Sequence, residues 1–441
     1  MCRLTDIRDS LNKSIETLTS KRKSFVTNKD TDFIRDSKLS FDKMIRIILQ
    51  AGGQSINKEL AAYFNYETSM PSPSAFCQKR SKIQFEAFGF LFSDFTKSCS
   101  ATKLFKGYQL LAVDGSEIYI PRNENDHDTY MYNGENKKGW NRLHLNVLYD
   151  LMNHFYKDAI INPGKKTAER DSLIQMLNST SNEQPFIILA DRGYESYELL
   201  YYLLTNKIPF VFRIKGPNSG NGAVLGKTIL SDQNEFDISF TLKVASSSTF
   251  KTKITQNEMK EKGYRIINSQ RLSCIGRKQS TYTFDPIRII KIQLKNGKEE
   301  YLATNLPADD FVTQDIIDLY SIRWGIETSF RELKYELSII QFHSKKVEHI
   351  KQEIFAKLTM YNFNRMITES LESEVKDGPK YEHKINFSQA CVYCKQFFLS
   401  LIESQQMKEL ILRSTTPIRP DRSFTRNVKK KQPTSFQYRI T

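Results

Sequence analysis

The chain has 441 residues and a formal net charge of +15, from 65 Lys and Arg against 50 Asp and Glu. That length holds a sizeable core and about two to four domains, and the basic balance points to a polyanionic partner without naming the anion. No apolar run approaches the roughly 18 residues that cross a bilayer, and the N-terminus lacks a signal-peptide pattern, so membrane-spanning and secreted classes are set aside in favour of a soluble, cytoplasmic protein.

Residues 1–100 read as helical. Phe41 to Gln50 carries an apolar helix pattern, which Gly52 and Gly53 break. Ser55 can cap a short helix over 55–64, and Ser72 with Pro73 can open another. Two short helices with a tight link, the second bearing Gln78, Lys79, Arg80 and Lys82, fit a DNA-binding helix-turn-helix. They fit an ordinary helical hairpin with a basic face equally well.

From 108 the pattern changes to strands. YQLLAVD (108–114) is an apolar run closing on Asp114. Residues 144–161 give two strands turning at Met152 and Asn153, and 166–179 have helical periodicity. PFIILAD (185–191) is a buried-type strand closing on Asp191, and after a helix IPFVFRIK (208–215) is another. Three antiparallel strands followed by helix, strand, helix and strand make an α/β order consistent with a ribonuclease-H-like core. Residues 216–300 read as a β-rich insertion, and 301–307 lead back to the core. One long helix is then expected from Thr313, with Thr313 as its cap.

The expected divisions are therefore a helical, helix-turn-helix-like DNA-binding domain (1–100), the first part of the catalytic core (101–215), the insertion (216–300) and the remaining core with its helix (301–345). A C-terminal helical region (346–412) and a basic tail (413–441) follow. In the tail, Lys429, Lys430 and Lys431 can track phosphates along an extended arm, or simply stay solvated. The six cysteines are scattered, as in a reducing compartment. Cys391 and Cys394 form a lone CxxC with no second pair, which reads as two cysteines on one helix face and not as a zinc or redox site.

The chemistry gathers in YSIRWGIETSFRELK. Tyr320, Arg323, Glu327 and Lys334 fall at offsets 0, 3, 7 and 14, which at roughly 100° per residue share one side of a helix. A single carboxylate among phenolic and cationic groups suits a face that holds a metal ion beside a phosphate, although such charges more commonly make a solvated face. Asp114 and Asp191 each close an apolar strand before a turn, and functional groups of open sheets collect at strand ends. Either aspartate alone could serve only to cap its turn. With Glu327 they form a three-carboxylate set suited to a pair of magnesium ions.

On these residues the chain resembles bacterial insertion-sequence transposases of the DDE type, in the group with a Y-R-E-K signature on the helix of the catalytic Glu. Tyr320, Arg323, Glu327 and Lys334 match that spacing. Asp114-Gly115-Ser116 matches the D-G-S context of the first acid, and Ala190-Asp191-Arg192-Gly193-Tyr194 the A-D-R-G-[YF] context of the second. The segment at 143–150 and the basic tail are similar as well. The resemblance implies catalytic Asp114, Asp191 and Glu327 holding two Mg2+ ions, with Mn2+ able to substitute, and Tyr320, Arg323, Lys334 and Arg192 on DNA phosphates. It also implies cut-and-paste transposition. Water frees a 3′-hydroxyl at the element's end, the hydroxyl attacks the opposite strand to give a hairpin, and the reopened end is transferred into target DNA. The partners implied are double-stranded DNA, as inverted-repeat ends and target, and a second copy of the chain in the DNA complex.

One departure concerns a flipped base, which some relatives stack on a Trp in the β insertion. Here the tryptophans are Trp140 and Trp324, both outside 216–300, so either Tyr264, Tyr282 or Phe284 takes that task or the hairpin step works differently. Two other readings stay open: a transposase-derived repressor that binds DNA without cleaving it, and a ribonuclease-H-like nuclease that only hydrolyses.

Overall fold

In the computed structural model the described residues are 4–132, 134, 138–165, 168–180, 184–217, 219, 223–226, 231, 233–268, 280–294 and 297–419. The N-terminal region is helical: α1 (Leu4–Ser20), α2 (Phe41–Gln50), α3 (Ile56–Tyr63), α4 (Pro73–Arg80) and α5 (Glu86–Thr96). Ser40, Ser55 and Ser72 cap α2, α3 and α4, and Pro73 occupies the first turn of α4, as their residue types favour.

The α/β part follows as β1 (Gln109–Ile120), β2 (Tyr130–Met131), β3 (Trp140–Asp150), β4 (Phe155–Pro163), α6 (Glu169–Ser179), β5 (Phe186–Ala190), α7 (Tyr197–Thr205) and β6 (Phe210–Ile214). Next come β7 (Phe236–Ser246), α8 (Lys253–Glu261), β8 (Arg265–Ile267), β9 (Thr281–Gln293) and β10 (Glu299–Thr304). The chain continues through α9 (Thr313–Ile322), α10 (Gly325–Tyr335), α11 (Val347–Leu371), β11 (His383–Ile385), α12 (Phe387–Phe398), α13 (Ser404–Arg413) and β12 (Thr415–Pro417).

One ten-stranded sheet runs β2-β3-β1-β5-β6-β10-β9-β7-β8, with β4 also on β3. β1, β3 and β4 pair antiparallel, while β1, β5 and β6 pair parallel. The strands of 216–300 do not stand apart from the core. β9 joins β10, which lies on β6, so they lengthen the same sheet.

Alternation along each strand sends side chains to opposite faces. Leu110, Ala112, Ile187 and Leu189 pack toward the terminal helices and α9–α11, whereas Leu111, Val113, Ile188 and Ala190 pack toward α6 and α7. The helix α11 binds the terminal regions to the sheet and is buried along most of its length. Asn362 accepts from the Tyr156 amide at 2.8 Å and donates to the Tyr156 carbonyl at 2.9 Å, which satisfies backbone groups on β4.

Two local expectations are corrected. The single helix from Thr313 is two, because the bonds around the joint tighten to three-residue spacing: Arg323 N to Tyr320 O (3.2 Å), Ile326 N to Arg323 O (3.1 Å) and Glu327 N to Trp324 O (3.2 Å). Its start is secured by Asp315, which accepts from the Val312 amide at 2.9 Å, while the Thr313 hydroxyl goes to Asp237. The tail expected from 413 also begins differently: α13 runs to Arg413, and β12 pairs with β11. Among the described residues no helix is long and apolar enough to cross a membrane.

Candidate active site

The parallel pairing of β1 and β5 ends at Val113 opposite Ala190, so the next residues on the two neighbouring strands are Asp114 and Asp191. Here the sequence reading needs adjusting. Asp114 does not close its strand: β1 continues to Ile120 against β3, and it is β5 that stops. A mouth therefore opens in the sheet beside Asp114. Alternation puts both carboxylates on the face covered by α9 and α10.

Those helices bring the rest of the stripe to the mouth. The Tyr320 hydroxyl donates to Asp191 Oδ1 at 3.3 Å, and Arg323 Nη2 donates to Glu327 Oε1 at 3.2 Å. The Arg323 guanidinium lies 5.5 Å from the ring centre of Tyr320 and 5.1 Å from that of Trp324. Because of the joint, Glu327 sits in the first turn of α10, where the positive end of the helix favours a carboxylate. Gly325 lets α10 come close: a β-carbon there would lie 3.1 Å from Leu151 Cδ2.

Burial pushes the Asp114 carboxyl up to about 6; the Gly115 amide and the Arg323 charge oppose this, and Glu327 and Glu169 add to it. Burial likewise pushes Tyr320 up to about 12, so its hydroxyl stays a donor. Arg323 is buried, which works against its charge, but Tyr320, Asp191 and Glu327 hold it charged. Asp191 does not cap the turn over Arg192–Tyr194 with its side chain, and so the purely structural account of it loses support.

This donor set suits a hard divalent cation: carboxylate oxygens, one of them in a carboxyl that burial disfavours as a bare anion. Among the described residues no three such groups are gathered closely enough to hold an ion as they stand. Glu327, whose side chain is 38% exposed, has room to turn toward the mouth.

The other expected contacts divide. Lys334 is half-buried on α10 and Arg192 is exposed beside Asp191. Gln78 is exposed, and Lys79 lies 5.0 Å above the Phe33 ring. Lys82 is bound to Asp32 at 2.7 Å. Arg80 corrects the expectation of a basic face: it is buried, and its guanidinium bonds to α11. Lys429, Lys430 and Lys431 lie outside the described residues. Tyr282 and Phe284 are core residues packed on Tyr201, which removes them as base-stacking groups, and half-buried Tyr264 sits under Lys243.

Sequence reasoning missed Glu169, His144 and Tyr194, which face the same mouth from the α6 side. The available signal was the small residue after each aspartate. A β-carbon on Gly115 would lie 2.3 Å from His144 Nε2 and 3.0 Å from Glu169 Oε1. Trp324, 54% exposed at the joint, also had no assigned role.

The family described as Transposase DDE domain matches residues 105–363, more than half of the chain. The chain belongs to that family. The matched region contains Asp114, Asp191 and Glu327. Among relatives, the transposase InsG for insertion sequence element IS4 of Escherichia coli (strain K12) is 29% identical over 149 residues, 31% of this chain and 33% of that protein. The transposase for insertion sequence element IS421 of Escherichia coli is 39% identical over 57 residues, 13% of this chain and 15% of that protein. The chain thus spans a third or less of the length of these relatives. A solved piggyBac transposase synaptic complex with hairpin DNA aligns with a TM-score of 0.47 at 11% identity, over 96% of this chain and 87% of that one. A likeness that loose carries nothing about fold or chemistry.

Proposed function

We propose that this chain is the DNA transposase of an insertion sequence, acting in the cytoplasm by cut-and-paste on a ribonuclease-H-like core. One observation carries the reading: strand register sets Asp114 beside Asp191, and the α9–α10 joint faces them with Glu327 and a buried arginine. The order β4-β3-β1-β5-β6, antiparallel in its first three strands and parallel in its last three, supports the core assignment.

In this reading Asp114, Asp191 and Glu327 hold two Mg2+ ions, or Mn2+ in their place. When bound, the ions lower the proton affinity of the attacking oxygen and neutralise charge on the leaving 3′-oxygen. Arg323, Tyr320, Lys334 and Arg192 orient the scissile phosphate; Arg323 suits a two-pronged contact and Lys334 a movable point charge. The oxygen of water attacks phosphorus and gives up a proton, the bond to the 3′-oxygen breaks and that oxygen takes up a proton. The freed 3′-hydroxyl then attacks a phosphate of the opposite strand, forming the hairpin's phosphodiester as the bond from that phosphorus to the flanking 3′-oxygen breaks. The partners are double-stranded DNA ends and target, with two copies of the chain in the complex.

Replacing Asp114, Asp191 or Glu327 by Ala is expected to abolish cleavage of element ends while leaving DNA binding largely intact. A Glu327→Ala protein that cuts at the normal rate would overturn the assignment. A two-ended DNA substrate with Mg2+ separates the alternatives: joined products support the transposase, binding alone a repressor, and nicks without joining a nuclease.

A further inference from the structure

The mouth has a second side. The helix α6 reaches it from the face opposite α9 and α10, and Glu169 stands in the first turn of α6. Arg170, the next residue, fixes that turn to the segment after Asp191 by donating to the carbonyls of Gly193 at 3.0 Å and Glu195 at 3.1 Å. The two glycines that flank the catalytic aspartates make the room. Glu169 Oε1 lies 3.0 Å from where a Gly115 β-carbon would stand, and Oε2 lies 3.8 Å from that of Gly193. The carboxylate therefore spans the gap that opens where β5 ends.

Two buried side chains face it without being satisfied. His144 is 5% exposed, and its Nε2 comes within 3.1 Å of Glu169 Oε1 without the alignment of a hydrogen bond. Tyr194 is 2% exposed, and among the described residues its hydroxyl has no hydrogen-bond partner. Burial, together with the charges of Glu169 and Asp114, raises the Tyr194 phenol. Buried polar groups are seldom left this way unless something else completes them.

We propose that Glu169 is a fourth carboxylate of the metal site, holding a divalent cation with Asp114 from the α6 side and oriented by His144. The inference rests on the transposase reading of the three acids and adds a ligand to it. A ligand carboxylate is commonly steadied by a neighbouring imidazole or hydroxyl, and losing such a group typically weakens metal binding about 10- to 100-fold.

The probe is Mn2+ alone, titrated calorimetrically into the full-length chain. Glu169→Gln is expected to weaken binding about tenfold or more, and Asp114→Asn is expected to do the same. If Glu169→Gln binds like the wild type while Asp114→Asn loses the ion, Glu169 serves only His144 and the inference falls, with the transposase reading intact. If Asp114→Asn also binds like the wild type, the metal site itself is wrong and both readings fall. A second measurement needs no variant: Fe2+ in place of Mn2+, with ascorbate and peroxide, cuts the backbone beside the bound ion. Cuts around 169 as well as 114 and 191 are expected. Cuts at 114 and 191 alone overturn the proposal.

Discussion

Arg80 and Arg323 are both 2% exposed, yet the fold treats them in opposite ways. Arg80 joins α4 to α11 with every nitrogen committed: Nε to Gln352 at 2.8 Å, Nη1 to Glu353 at 2.8 Å and Nη2 to the His349 carbonyl at 2.6 Å. Among the described residues the Arg323 side chain has one hydrogen bond, to a Glu327 that is itself 38% exposed, and its Nε has no partner. A guanidinium carries five donors in a fixed fork. Where the protein fills that fork, the arginine is architecture. Where the fork is left short beside two aspartates, the proposed function has a DNA phosphate supply the missing acceptors.

The sharpest way to break this contrast is to remove each arginine in turn. Arg80→Ala takes the guanidinium from a buried Glu353 that keeps His343, and breaking a buried ion pair typically costs about 3–5 kcal/mol. It should lower the urea midpoint without first impairing end cleavage per folded molecule. Arg323→Ala should do the reverse. Its pair with Glu327 spans one helical turn with a half-exposed partner and is worth only a few tenths of a kcal/mol. The cleavage rate should drop about 10²- to 10³-fold, as when a preorganised donor to the reacting centre is lost. If Arg323→Ala unfolds the chain and Arg80→Ala does not, the contrast is inverted and the role given to Arg323 is wrong.

From sequence each arginine was a cation on a helix expected to meet DNA, Arg323 through the Y-R-E-K spacing and Arg80 through a basic run with Lys79 and Lys82. What separates them is tertiary, because Gln352 and Glu353 lie more than 270 residues after Arg80 and no local pattern links them. The acids were legible for the opposite reason. A strand's apolar run fixes where it stops pairing, and the turn chemistry after Asp191 is local. Even so, the run before Asp114 concealed that β1 continues, since the residues beyond it alternate and lack the unbroken apolar character of the first half. The α9–α10 joint was hidden because its backbone stays helical and only the hydrogen-bond spacing changes. Glu169 was hidden because it comes from the other face of the sheet.

A smaller effect tests the crowding at the mouth. Gly115 has no left-handed backbone demand; it is small because His144 and Glu169 occupy the space a side chain would need. Gly115→Ala should cost about 1–3 kcal/mol through overpacking, read as a lowered thermal midpoint. It should also weaken Mn2+ binding by displacing Glu169. Gly134→Ala, with open space around it, is the control for glycine removal as such, although its φ of 77° adds backbone strain of its own.

Acid should act on the Arg80 cluster more gently. Burial alone would raise Glu353, but the Arg80 charge and the His343 hydrogen bond outweigh it and bring the carboxyl down to about 2 from an ordinary 4.5. Burial, with the charges of Arg80 and Lys346, lowers His349 to about 4 from 6.5. Both values lie below those of the unfolded chain, so the unfolded chain takes up more protons on acidification. The stability these groups contribute is complete above about pH 6.5. It begins to fall as pH drops toward 4, through His349, and falls further between 4.5 and 2, through Glu353. Urea midpoints measured from pH 7 to pH 4 should therefore decline, and the decline should be shallower in His349→Asn, which removes the first of the two groups. An Arg323→Ala protein should keep the full decline, because Arg323 has no part in that cluster. A decline that Arg323→Ala abolishes would place the acid-sensitive charges at the mouth of the sheet instead of at the joint between α4 and α11.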